Sequence, residues 1–116
     1  EGGDTFKFHR QTYGENFTYD DFIPSFNQAI TNWNPSEWAR FFSQVGERYV
    51  VLTTKHHDGF LLWTSETVYK SGNVASRDIV GELTQAVRQE GMRMGLYYSG
   101  GIDWSFQDTT VTDFNT

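Results

Sequence analysis

Two adjacent imidazoles, His56 and His57, follow the apolar run Tyr49-Val50-Val51-Leu52-Thr53-Thr54 and its terminal Lys55, and stand directly before Asp58-Gly59. A neutral imidazole carries one donor and one acceptor, so two of them aimed at one point match sugar hydroxyls, which need both kinds of partner in fixed directions. Side chains of a regular strand alternate between its faces, so both rings reach one ligand only where the strand is ending. Asp58-Gly59 is expected to supply that ending. The same residues allow a metal-dependent hydrolase using His56, His57 and Asp58. Adjacent histidines suit a single tetrahedral ion poorly, however, and no third histidine stands nearby at helical spacing. A third reading makes both histidines structural, buried and satisfied by backbone. Lys55, just before the loop, is read as one half of an ion pair with a neighbouring carboxylate rather than as a base.

A second group of chemically able residues lies in Tyr97-Tyr98-Ser99-Gly100-Gly101-Ile102-Asp103-Trp104. Alternation sends one of Tyr97 and Tyr98 to each face of a strand. Asp103, following Gly-Gly, reads as a turn former or helix cap rather than a catalytic carboxylate.

The elements that must position these groups recur in one order. Asn34 caps a helix with Pro35 in its first turn and Glu37 as reciprocal cap, and Trp38, Phe41, Phe42 and Val45 form its apolar stripe up to the stop at Gly46. The strand over 49–54 follows, then a long loop over 58–75 that is a candidate functional loop. A second helix starts near Ser76 and Asp78 with the stripe Ile79, Val80, Leu83, Ala86 and Val87, and Gly91 closes it. Met92 to Tyr98 reads as a second strand. Capped helix, glycine, strand and polar loop are thus written twice, which predicts α/β architecture with parallel strands. No glycine-rich phosphate fingerprint follows either strand, which favours a closed (β/α)8 TIM-type barrel over an open nucleotide-binding sheet. Residues 1–33, without a sustained period, are expected to be an irregular lead-in, and 34–116 to hold about two βα units of a partial catalytic barrel domain spanning 1–116.

The chain starts at Glu1 and stops in mid-pattern at Thr116, so it is expected to be a piece of something larger, with the rest of the barrel elsewhere. A net charge of −6 without a cluster of basic residues gives nucleic acid and anionic membrane surfaces little to bind. No apolar run approaches the roughly 20 residues that cross a bilayer. Cysteine is absent, which removes disulfides, thiolate metal sites and a cysteine nucleophile from this segment. Four tryptophans, six tyrosines and ten phenylalanines supply flat rings that line sites for ligands with apolar faces, although most are expected in a core.

Five segments, taken together, resemble the α-L-fucosidases of glycoside hydrolase family 29. They are Phe8-His9-Arg10-Gln11-Thr12-Tyr13-Gly14, Pro35 to Ala39, Tyr49 to Phe60, Ser76 to Leu83 and Gly95 to Trp104, with Lys55-His56-His57-Asp58-Gly59-Phe60 the most specific. The resemblance implies a retaining exo-glycosidase that removes terminal α-L-fucose from fucosylated oligosaccharides or glycoconjugates through a covalent glycosyl-enzyme, without a cofactor or metal. Such chemistry needs two carboxyl groups about 5 to 5.5 Å apart. It also implies that His56 and His57 bind fucose hydroxyls and that Tyr98, in preference to Tyr97, lies near the reacting centre. The family's nucleophile, acid/base and earlier sugar-binding histidine lie outside this chain, so no catalytic residue is assigned here. His9 sits in Phe-His-Arg rather than the family's His-Trp-Gly and does not take that earlier role. A sugar-binding barrel without catalysis is the alternative within the same fold. The isolated 116-residue chain is expected to be inactive, and release of nitrophenol from a fucoside by the purified segment refutes this.

Overall fold

Alternation along the run from Tyr49 decides the layering of the molecule. Val50 and Leu52 turn to one side, where with Met94 they pack on the buried cluster of Ala39, Leu83, Ala86, Val87 and Met92, while Tyr49 and Val51 stay exposed on the other. The computed structural model describes residues 3–68 and 70–106. In order these form α1 (Asp4–Tyr13), a 3-10 turn (Tyr19–Phe22), α2 (Ile23–Ala29), a 3-10 turn (Ile30–Asn32), α3 (Pro35–Gln44), β1 (Tyr49–Lys55), α4 (Ile79–Gln89), β2 (Arg93–Tyr98) and a last 3-10 turn (Trp104–Phe106). The expected course of the second unit beyond residue 106 lies outside the described residues.

β1 and β2 pair in parallel, from Tyr49 opposite Arg93 to Thr53 opposite Tyr97, and α4 supplies the crossover that parallel neighbours require. Asp78 caps α4 by accepting from the Gly81 amide at 2.9 Å. Ser76 does not cap; its amide donates instead to Asn27 Oδ1 at 2.9 Å and so ties α4 to the lead-in. Ile79, Leu83, Ala86 and Val87 are buried as their spacing predicts. Full burial of a side chain such as Leu83 or Val87 contributes about 1.5 to 3 kcal/mol.

α3 differs from its expected packing. Asn34 Oδ1 accepts from the Ser36 and Glu37 amides at 3.1 and 3.3 Å, capping the helix without the reciprocal Glu37 bond. The buried face centres on Ala39 and Phe42, whereas Trp38, Phe41 and Val45 are 52, 59 and 57 % exposed. The reason is steric: α3 lies against α4, and the small Ala39, fully buried, allows a closer approach than a row of large rings would.

The lead-in over 1–33 is also not irregular, since two helices and two 3-10 turns occupy most of its described part. α1 buries no residue, and for that reason it carries no core-facing stripe to read. Its aromatics cluster instead with the loop that follows. His9, Tyr13, Phe17 and Phe22 sit with ring centroids 4.9 to 5.9 Å apart, and His9 Nε2 donates to the Phe17 carbonyl at 2.8 Å. Arg77 pins the end of this region: Nη1 donates to the Ile30 and Trp33 carbonyls at 2.8 and 2.7 Å while the rest of the guanidinium grips Glu82.

Leu83→Ala in the whole protein is expected to lower unfolding stability by about 2 to 5 kcal/mol, the usual result of truncating a buried leucine, as read by denaturant titration.

Candidate functional site

The burial of β1 alternates through Thr53 and then stops alternating, because Thr54 and Lys55 are both buried. The pairing register shifts at this point: Thr53 opposes Tyr97, Lys55 opposes Tyr98, and Thr54 is the extra residue. This is a β-bulge, in which two residues of one strand face one of the other and local alternation is reset. Thr54 Oγ1 donates to the Tyr97 carbonyl at 2.9 Å and secures the bulge. Its result is that Lys55 lies with Tyr98, its Nζ 5.2 Å from the Tyr98 ring centre, while the next residue, His56, comes out beside Tyr97, with ring centres 6.3 Å apart.

The chain turns immediately afterwards. The Gly59 amide donates to the His56 carbonyl at 3.1 Å, and Gly59 takes a φ of +75°, a conformation that glycine adopts without steric cost. With the strand ended, the His56 and His57 rings stack with centres 4.0 Å apart and planes inclined by 25°. The doublet is therefore presented on one side of the chain. Among the described residues no hydrogen bond reaches either imidazole, so both keep their donor and acceptor for a ligand.

Asp58 does not join them. Its Oδ1 accepts from the Phe60 amide at 3.0 Å and its Oδ2 from the Tyr19 hydroxyl at 2.9 Å. Burial, with the hydrogen bond to Asp58 and its charge, raises the Tyr19 pKa, so Tyr19 stays a neutral donor. Through this bond the lead-in reaches the border of the site, a contribution that its sequence did not announce. Trp104 completes that border: its ring lies 5.8 Å from Tyr19 and 6.3 Å from His57. A mostly apolar cavity of about 280 Å³ beyond Tyr19 and Asp58 is lined by Phe22, Phe26, Phe60 and Asn73 among others, but not by the histidines. Among the described residues no three His, Cys, Asp or Glu side chains converge as a metal site would need.

Beneath the doublet, Lys55 is 2 % exposed and its ammonium donates to Asp103 Oδ2 at 2.8 Å, the Ser99 carbonyl at 2.7 Å and the Ile102 carbonyl at 3.2 Å. The ion pair expected of Lys55 is present, and its partner is Asp103. That residue also heads the final turn as expected, with Oδ1 accepting from the Ser105 amide at 2.9 Å. Burial alone would raise the Asp103 pKa, but the hydrogen bonds from Lys55 and Ser105 outweigh it and hold the carboxyl below its ordinary value. Its stabilising contribution is present above the unfolded-state pKa and is lost as pH falls through the folded one.

The loop that follows β1 is pinned at residues 61–62 and 73–75. The Leu61 and Ala75 amides donate to the Asn73 and Leu61 carbonyls, and the Leu62 amide returns to the Thr54 carbonyl at 3.0 Å. Leu61 thereby bridges Lys55 on one side and Val74 on the other.

The sequence profile of the family described as Alpha-L-fucosidase matches residues 1–115. Alpha-L-fucosidase of Dictyostelium discoideum is 44% identical over 102 residues, which are 85% of this chain and 22% of that protein. Human tissue alpha-L-fucosidase is 45% identical over 96 residues, 80% of this chain and 20% of that protein. Among solved structures, Thermotoga maritima alpha-fucosidase in complex with fucose superposes with a TM-score of 0.82 at 43% identity, over 99% of this chain and 27% of that one. A GH29 alpha-L-fucosidase from Bacteroides thetaiotaomicron superposes at 0.65 with 31% identity, over 95% of this chain and 25% of that one. The chain spans about a fifth to a quarter of the relatives it matches, and it belongs to the alpha-L-fucosidase family.

Proposed function

We propose that this chain supplies part of the sugar-recognition wall of a retaining exo-α-L-fucosidase that acts on fucosylated oligosaccharides or glycoconjugates. The observation that carries the reading is the His56–His57 pair, stacked at the end of a parallel strand with no hydrogen bond to either ring among the described residues. Two imidazoles at that spacing offer donors and acceptors side by side, which suits neighbouring hydroxyls of one pyranose ring. The similar Thermotoga maritima structure was solved with fucose.

The architecture proposed is a (β/α)8 barrel, with residues 1–33 leading in and the remainder forming roughly its second and third βα units. The face of the two-stranded sheet that no helix covers among the described residues, with Tyr49, Val51 and Tyr97 exposed, supports this, since closing a barrel would cover such a face. Active sites of barrels of this type form where strands give way to loops, and both histidines occupy that position. The nucleophile and acid/base are assigned to other strands of the whole protein.

Of the two tyrosines, the register favours Tyr97 as the flank of the histidine pair. Tyr98, the residue expected from the resemblance, lies with Lys55 on the other side of the bulge, and we give it the role of shielding that ammonium.

In the whole protein, His56→Ala and His57→Ala are each expected to lower kcat/KM for 4-nitrophenyl α-L-fucoside by about tenfold or more, equal to roughly 1.4 kcal/mol of lost binding to the transition state. Unchanged kinetics in both variants would make the pair structural. A loss in Tyr98→Phe with none in Tyr97→Phe would return the flanking role to Tyr98.

A further inference from the structure

We propose that Lys55 is a positioning residue for sugar recognition: paired with Asp103, it closes a ring of contacts that fixes the direction of both imidazoles and holds the Trp104 indole at their edge. The inference rests on the sugar-binding reading of the doublet.

Since no hydrogen bond orients either ring among the described residues, their aim depends on the backbone that carries them. That backbone is held from both ends. At the front, the Ser99 amide donates to the Lys55 carbonyl at 3.0 Å while Lys55 Nζ donates back to the Ser99 carbonyl at 2.7 Å. At the rear, the Trp104 amide donates to the His57 carbonyl at 2.7 Å. Asp103 joins the two ends, being bonded to Lys55 and adjacent to Trp104 in the chain. The ring therefore runs from Lys55 to Asp103, along to Trp104, across to His57 and back through His56.

Gly59 packs against the Asp103 corner of this ring. A Cβ on Gly59 would lie 2.6 Å from Asp103 Oδ1 and 2.8 Å from Ser105 Oγ, so the loop after β1 rests directly on the carboxylate that Lys55 holds. All three ammonium protons are used within this ring. The side chain is 2 % exposed and its ammonium is engaged by Asp103, Ser99 and Ile102, inside the fold and not at the surface of the cleft. It acts through the groups above it.

The test uses the whole protein, with Lys55→Met, Asp103→Asn and the double variant assayed well below the melting temperature of each. The readouts are KM and kcat for 4-nitrophenyl α-L-fucoside and the inhibition constant of free fucose. The expected result is a rise of about tenfold in both KM and the fucose inhibition constant for each single variant. The double variant should lose no more than the worse single one, because all three changes open the same ring. Lower melting temperatures with KM and fucose inhibition within twofold of wild type overturn the inference and leave Lys55 a purely structural residue. Losses that multiply in the double variant also overturn it. If Lys55→Met does not fold, Asp103→Asn decides alone, as it preserves size and can still accept from Ser105. A wild-type protein that neither hydrolyses the fucoside nor binds fucose overturns the fucosidase reading, and this inference with it, whereas an active wild type with indifferent variants overturns this inference alone.

Discussion

An ammonium group removed from water is tolerated only where opposite charge and hydrogen-bond acceptors replace its hydration shell. At Lys55 the replacements are the Asp103 carboxylate and two carbonyls of the segment after β2. Satisfying this one side chain obliges the two strand ends to lie together, and the loop after β2 to fold back over the loop after β1. The Trp104–His57 backbone bond, the seat of Gly59 against Asp103 and the edge of indole beside imidazole all follow from that closure. The charge pair matters less for net stability, where buried pairs roughly break even, than for singling out one arrangement of two otherwise pliable loops.

The layers beneath the loops do different work. Leu83, Ala86 and Val87 of α4 pack against Val50, Leu52 and Met94, so apolar burial fixes where the strands lie. Arg77 and Asn27 then bind the lead-in to α4 through carbonyl and amide contacts. This anchoring lets Tyr19, thirty-nine residues before Asp58 in sequence, reach its carboxylate. Position is set by the core, and fine direction by polar contacts at the strand ends.

Much of this was readable from residue order. The parallel pair, α4 with its stripe, the Asn34 cap and the histidine doublet at a strand end all carry local signals, and the partner of Lys55 was foreseen in kind. What escaped reading depends on contacts distant in sequence. α1 buries nothing, so it shows no period to detect. The buried face of α3 follows the approach of α4 and not its own largest residues. Tyr19 declares no purpose until Asp58 is placed beside it. The bulge at Thr54 has no marker in Val-Leu-Thr-Thr-Lys, yet it decides which of Tyr97 and Tyr98 meets His56.

That extra residue gives β1 an unusual constraint. A strand with one irregular step has an odd-even parity, and removing or adding a single residue anywhere between Val50 and Lys55 would exchange the two sides of everything downstream. An ammonium would emerge where an imidazole now stands, and the imidazole would turn to the side where Lys55 now lies with Tyr98. Substitution of one aliphatic residue for another along this strand leaves parity intact. Divergence here is therefore open to changes of identity and closed to changes of length.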